Sequence, residues 1–134
     1  MKYDVVLSII FYLCGCFYML FGAVLIAANA KSNVNKLFLF LTSSLAIWSF
    51  SYSISNSAPT AEVSAYWRSF SVFGWGFFSS FLLHMIWILT KFKSRFNRRS
   101  IVFMLHLPAL INIILFGPFG FLAEKHYNMV QTDF

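Results

Sequence analysis

Four stretches of this sequence carry no charged side chain: Val5 to Ala30, Leu37 to Ala61, Ser69 to Thr90 and Ser100 to Ala123. A helix needs about 20 consecutive, mostly apolar residues to cross the hydrocarbon core of a bilayer, and each stretch is long enough. This pattern predicts an all-α membrane protein, a four-span transmembrane helical bundle with spans at about residues 5–28, 37–57, 69–90 and 100–116 of a single transmembrane domain, 1–134. A transmembrane β-barrel is excluded, because its strands are segments of about ten residues with alternating polarity.

Composition supports the same conclusion. Hydrophobic residues make up 60% of the 134 and charged residues only 10%, against roughly 25% charged in ordinary soluble domains. Eighteen phenylalanines add to the excess. A net charge of +6 is compatible with nucleic-acid binding, but the placement of the charge argues against that partner. Five of the ten basic residues, Lys91, Lys93, Arg95, Arg98 and Arg99, fall in one short segment between the third and fourth spans. Lys31 and Lys36 lie between the first and second. Short loops rich in Lys and Arg face the cytoplasm, so the amino terminus, the loop after span two and the carboxyl terminus are expected outside. The expected partner is the lipid bilayer, with no nucleic acid.

Ala27–Ala30 reads "AANA", which offers the alternative of a cleaved signal peptide. The apolar run before it is far longer than the 7–15 residues of a signal core, and Lys2 is offset by Asp4. An external carboxyl terminus cannot lead directly into a cytosolic domain. The chain is therefore expected to be either a complete small membrane protein or the front of a longer one with an odd number of further spans.

Within the spans, Cys14 and Cys16 are two residues apart and point to different sides of a helix, so they are expected as unbridged, buried apolar thiols. Ala23 and Ala27 have the small-xxx-small spacing of close helix packing. The serines of "WSFSYSISNS" read as helix-end hydroxyls bonding back to carbonyls, or as the lining of a wet cavity. In the loop "PTAEVSAYWR", Trp67 suits the membrane interface and Arg68 can reach water; binding of an anionic ligand is the functional alternative. Gly76, Ser80 and His84 recur every four residues and form a stripe expected to face other helices. Pro108 removes a backbone donor from span four and predicts a helix kink, and Asn112 needs a partner.

His84 lies six residues before Thr90, and His106 six residues after Ser100. Each is therefore about 9 Å inside its helix end, and the two histidines share a depth on antiparallel spans. They form a candidate intramembrane polar pair, read either as a neutral hydrogen-bonded contact or as a pH-sensing pair. A metal site is not expected, since zinc takes about four ligands and this depth offers no carboxylate or thiol. No cofactor is expected, and no catalytic residues: paired carboxylates, a glycine-rich phosphate loop and a nucleophile motif are all missing from the sequence. Absence of acidic residues from the spans argues against a proton-coupled transporter.

An ordered set of motifs resembles the amino-terminal seven-span sensor region of bacterial histidine kinases, which also precedes diguanylate cyclase domains. The set is "AIW" ending at Trp48, a short loop with Pro59, "YWR" ending at Arg68, "GWG" around Trp75, "LLHMIWILT", a basic loop, and "HLPALIN" with Pro108 and Asn112. Together these motifs cover about residues 35–117. Many relatives carry a proline in span three where this chain reads "FFSSF". The resemblance implies the first four spans of a signal-input region in the bacterial cytoplasmic membrane. That region would act as a homodimer and relay an external or membrane-borne stimulus by helix repacking to a cytosolic kinase or cyclase. It also implies that Trp48, Trp67, Arg68 and Trp75 are candidate sensing residues, and that neither His84 nor His106 is a phosphoacceptor. The alternative is a self-contained four-span transporter or oligomeric structural bundle.

Overall fold

The computed structural model describes residues 2–91 and 97–122, and these hold five helices and no strand. They are α1 (Lys2–Ala28), α2 (Asn33–Asn56), α3 (Ala61–Phe70), α4 (Val72–Leu89) and α5 (Arg98–Phe116). Four helical runs are long and apolar enough to cross a membrane: Asp4–Ala28, Asn33–Asn56, Ala61–Leu89 and Arg98–Phe116. The chain is an all-α, membrane-spanning protein. Lys93 and Arg95 of the basic loop lie outside the described residues.

Helix contacts follow chain order: α1 packs on α2, α2 on α4, and α4 on α5, with α3 leaning on α2. Successive spans are joined by short connections, and α3 and α4 together make one span. The α1–α2 turn is tied by Asn35, whose side-chain amide donates to the carbonyls of Leu25 at 2.8 Å and Asn29 at 3.2 Å. The Ser32 hydroxyl accepts from the Asn35 amide N–H and caps α2, so α2 starts at Asn33, before the apolar run begins.

The third span differs from its expected form. Residues 61–68, read from sequence as loop, are helical and with the first two residues of the expected span form α3 (Ala61–Phe70). Thr60 caps it by accepting from the Val63 N–H at 3.3 Å. One residue, Ser71, separates α3 from α4, and its hydroxyl donates to the Arg68 carbonyl at 2.6 Å. The charge of Glu62 and Arg68, together with Pro59 just upstream, gave this segment the composition of a loop. In the fold, Ser64, Ala65 and Ser69 are its buried face.

Small residues set the helix spacing, though not at the positions the alanines suggested. Ala23 and Ala27 are exposed on α1, whereas Gly15 and Gly22 are buried against the Phe50 ring and Thr42 of α2. α4 also approaches α2 closely, backbone to backbone. A Cβ added at Gly74 would lie 2.5 Å from both the Ser44 carbonyl oxygen and the Trp48 backbone nitrogen. Gly76, Ser80 and His84 face α5 instead, with Gly76 looking toward Ala109 and Ile113. Cys14 is half-buried and Cys16 exposed, both as free thiols, so the expectation of two buried thiols does not hold. Helix α5 runs unbroken through Pro108, so the kink expected there does not interrupt the helix.

The serines of α2 do two jobs. Ser44 and Ser51 bond back to carbonyls of their own helix, Phe40 at 2.8 Å and Ile47 at 2.6 Å. Ser53 instead reaches α1, where Ser8 and Ser53 each donate to the other's carbonyl at 2.6 and 2.8 Å. Such interhelical bonds hold helices together where lipid supplies no hydrophobic drive.

Candidate functional site

Two sites emerge, one at each end of the helices. At the end where α2 passes into α3, a cavity of about 290 Å³ lies among α2, α3, α4 and the segment after α5. Tyr52 of α2, Arg68 of α3 and Trp75 of α4 form its aromatic and cationic walls, and Phe116 and Leu122 close the side toward α5. Ser69, Ser71 and Val72 supply the joint between α3 and α4. The chain after α5 is positioned by backbone bonds from Gly120 to Gly117 and from Leu122 to Leu115, both 2.8 Å.

Arg68 is held in place. Its guanidinium carbon stands 5.9 Å from the centroid of the Tyr52 ring, within the range of a cation–π contact. Its Nε donates to the Ser55 hydroxyl at 3.4 Å. Ser55 in turn donates to the Ser64 carbonyl at 3.1 Å, and the two hydroxyls are 2.9 Å apart. α3 is therefore docked on α2 through a buried serine pair that also orients the arginine. A cation beside aromatic and aliphatic walls suits a small ligand with an anionic or π-rich head and an apolar body.

Of the four residues singled out as candidate sensors, two line the cavity and two do not. Arg68 and Trp75 line the cavity. Trp48 packs edge-on against Tyr52 at 6.0 Å and so sits behind the wall. Trp67 lies between Tyr66 and Phe70, at 6.1 and 5.4 Å, outside the cavity. Tyr52, Ser71, Phe116 and Leu122 belong to the site but were not singled out from sequence. They lie on separate segments, and of these only Tyr52 carried a local hint, in the serine-rich run of α2.

At the opposite end of the helices, His84 of α4 and His106 of α5 meet. His106 Nε2 and His84 Nδ1 are 3.4 Å apart, and the ring centroids are 5.6 Å apart at 74°. This geometry permits one N–H···N bond, with either ring as donor. Phe81 packs on His106 at 5.3 Å and Trp87 on His84 at 5.9 Å. His106 Nδ1 and Trp87 Nε1 are buried without a hydrogen-bond partner among the described residues. Asn112 is half-buried and has no hydrogen-bond partner among them either. No group of three or more His, Cys, Asp or Glu is placed to hold a metal ion among the described residues.

The fold and these two sites define a class: a helical membrane protein with buried serines between its helices, a histidine pair and an arginine-walled cavity. Residues 5–131 match the family described as the N-terminal 7TM region of histidine kinase, and the chain belongs to that family. No curated protein matches the chain, and no solved structure matches it.

Proposed function

We propose that this chain is the signal-input portion of a receptor in the bacterial cytoplasmic membrane. In this reading it supplies the first four of seven spans and biases a cytosolic histidine kinase or diguanylate cyclase. The catalytic groups belong to that effector, and the receptor works as a homodimer. The basic end, with Lys31, Lys36, Lys91, Arg98 and Arg99, faces the cytoplasm. The cavity at Arg68 then opens outside, where a stimulus arrives.

One observation carries the mechanism. The cavity walls Tyr52 and Trp75 stand beside a close contact of α4 on α2, at Gly74 against Ser44 and Trp48. A ligand lodged between those two rings acts on that joint. It favours whichever packing of α4 on α2 leaves the better cavity, and only such a difference in affinity can shift a two-state equilibrium. α4 carries the change toward the basic end and the His84–His106 contact.

The test is ATP-dependent phosphohistidine formation, or cyclic di-GMP where the effector is a cyclase, in membranes of cells expressing the gene from its own locus. Arg68→Gln is expected to change the output by about fivefold or more, the usual scale of allosteric coupling. If neither product depends on the gene, the signalling reading fails, and a self-contained four-span transporter or structural bundle takes its place.

A further inference from the structure

The charged residues with described side chains are sorted between the two ends. Asp4 and Glu62 stand at the end where α2 meets α3, together with Arg68. The α4–α5 end holds only cations among them: Lys31, Lys36, Lys91, Arg98 and Arg99. At this end a groove of about 460 Å³ runs along the first three turns of α5, lined by Arg98, Arg99, Val102, Phe103 and His106. These residues fall on one face of the helix, at positions i, i+1, i+4, i+5 and i+8. Two guanidinium groups form its mouth, and an aliphatic and an aromatic side chain form its wall. His106, in contact with His84 of α4, forms its inner end.

We infer that this groove is a binding site for an anionic phospholipid. At 1.5 Å per residue, Phe103 lies about 7 Å and His106 about 12 Å deeper than Arg98 along α5. That is the distance from a headgroup to the upper acyl chain at a membrane interface, which spans roughly 5–10 Å. A phosphate diester seated between Arg98 and Arg99 takes planar, paired donors, which arginine offers and lysine does not. Val102 and Phe103 then cover the first methylenes. A soluble phosphate uses the arginines and leaves the apolar wall in contact with nothing, so the groove as a whole selects a lipid. No described acid stands near enough to compete, since both are at the far end of the helices. The occupied groove also covers His106, so the lipid rests on the joint between α4 and α5. This site is independent of the cavity at Arg68 and of the signalling role.

The test uses the full chain in vesicles with photoactivatable phosphatidylglycerol or phosphatidylcholine, the labelled residues being mapped by mass spectrometry. The phosphatidylglycerol probe is expected to label the peptide spanning 98–106 at least about fivefold more than the phosphatidylcholine probe. Unlabelled phosphatidylglycerol should displace it from the wild-type chain, and neither unlabelled phosphatidylcholine nor glycerol phosphate should. Arg98→Gln with Arg99→Gln should reduce labelling to the phosphatidylcholine level. Lys31→Gln with Lys36→Gln, which removes the same charge from the same end, should leave it unchanged. Equal labelling by both probes overturns the site. Displacement by glycerol phosphate shows a soluble anion site instead, and an equal loss in the lysine variant shows only surface attraction. The wild-type competition decides the matter even if the arginine variant does not insert.

Discussion

At Gly74 a side chain has nowhere to go. The atoms it meets are the Ser44 carbonyl and the Trp48 nitrogen, both backbone, so relief requires moving a whole helix. Gly74→Leu is expected to destabilise the helix assembly by about 1–3 kcal/mol, the usual cost of overpacking. Gly76→Ala is the control: its Cβ would meet only ordinary contacts at 3.8–3.9 Å, and it should be near neutral. Reversible unfolding in mixed micelles separates the two. His84 and His106 are close enough to couple. A double-mutant cycle with phenylalanine at each position should give about 0.6 kcal/mol, and no more than about 1.7, as for hydrogen bonds between membrane helices generally. Zero coupling would mean that the 3.4 Å approach is contact without a bond. This pair was legible in the sequence because equal distance from two adjacent helix ends is simple arithmetic. The residues around Arg68 were not, because Phe116 and Leu122 lie some fifty residues away in sequence and reach it only through the fold.

Among the elements, α3 carries the most informative difference between sequence and structure. Its apolar content is too low to mark a span, and its serines look like loop residues. Those same serines make it dock. Ser64 bonds Ser55 of α2, while Ser71 closes the step into α4 through the Arg68 carbonyl. Ser55→Ala is expected to loosen α3 and free the arginine, and amide exchange across residues 61–70 should speed up while α2 stays protected. Thr60→Ala removes the cap and should cost α3 about 1 kcal/mol, with faster exchange confined to its first turn. Equal exchange in wild type and both variants would show that α3 is held by the membrane and not by α2. The long spans were readable because absence of charge over about 20 residues has few physical explanations. The inward and outward faces of α1 were not readable. In a helix that is apolar all round, Ala23 and Gly22 look alike until the partner helix is known.

For the whole molecule, the order of contacts is the central fact. The helices stand in a row, α1–α2–α4–α5, and α2 is the most buried of the spans, with 44% of its apolar window covered against 11% for α1 and 6% for α5. α4 and α5 each reach both sites: Trp75 of α4 and Phe116 of α5 line the Arg68 cavity, and His84 of α4 meets His106 of α5 at the basic groove. The Gly74 face of α4 meets α2 beside the Arg68 cavity, and its Gly76–Ser80–His84 face meets α5 beside the basic groove. In the proposed signalling role, the α4–α2 contact at Gly74 is the point where a stimulus at the Arg68 cavity would act, and it requires α4 to have two packings of different affinity. The most direct test is effector output, as phosphohistidine or cyclic di-GMP, in inside-out vesicles from cells expressing the wild type, Gly76→Ala or Gly74→Leu at equal membrane levels. The expected result is unchanged output for Gly76→Ala, and for Gly74→Leu an output shifted by about fivefold or more that no longer depends on Arg68. Equal output from all three, with Gly74→Leu inserted and folded, would show that the packing of α4 on α2 carries no signal.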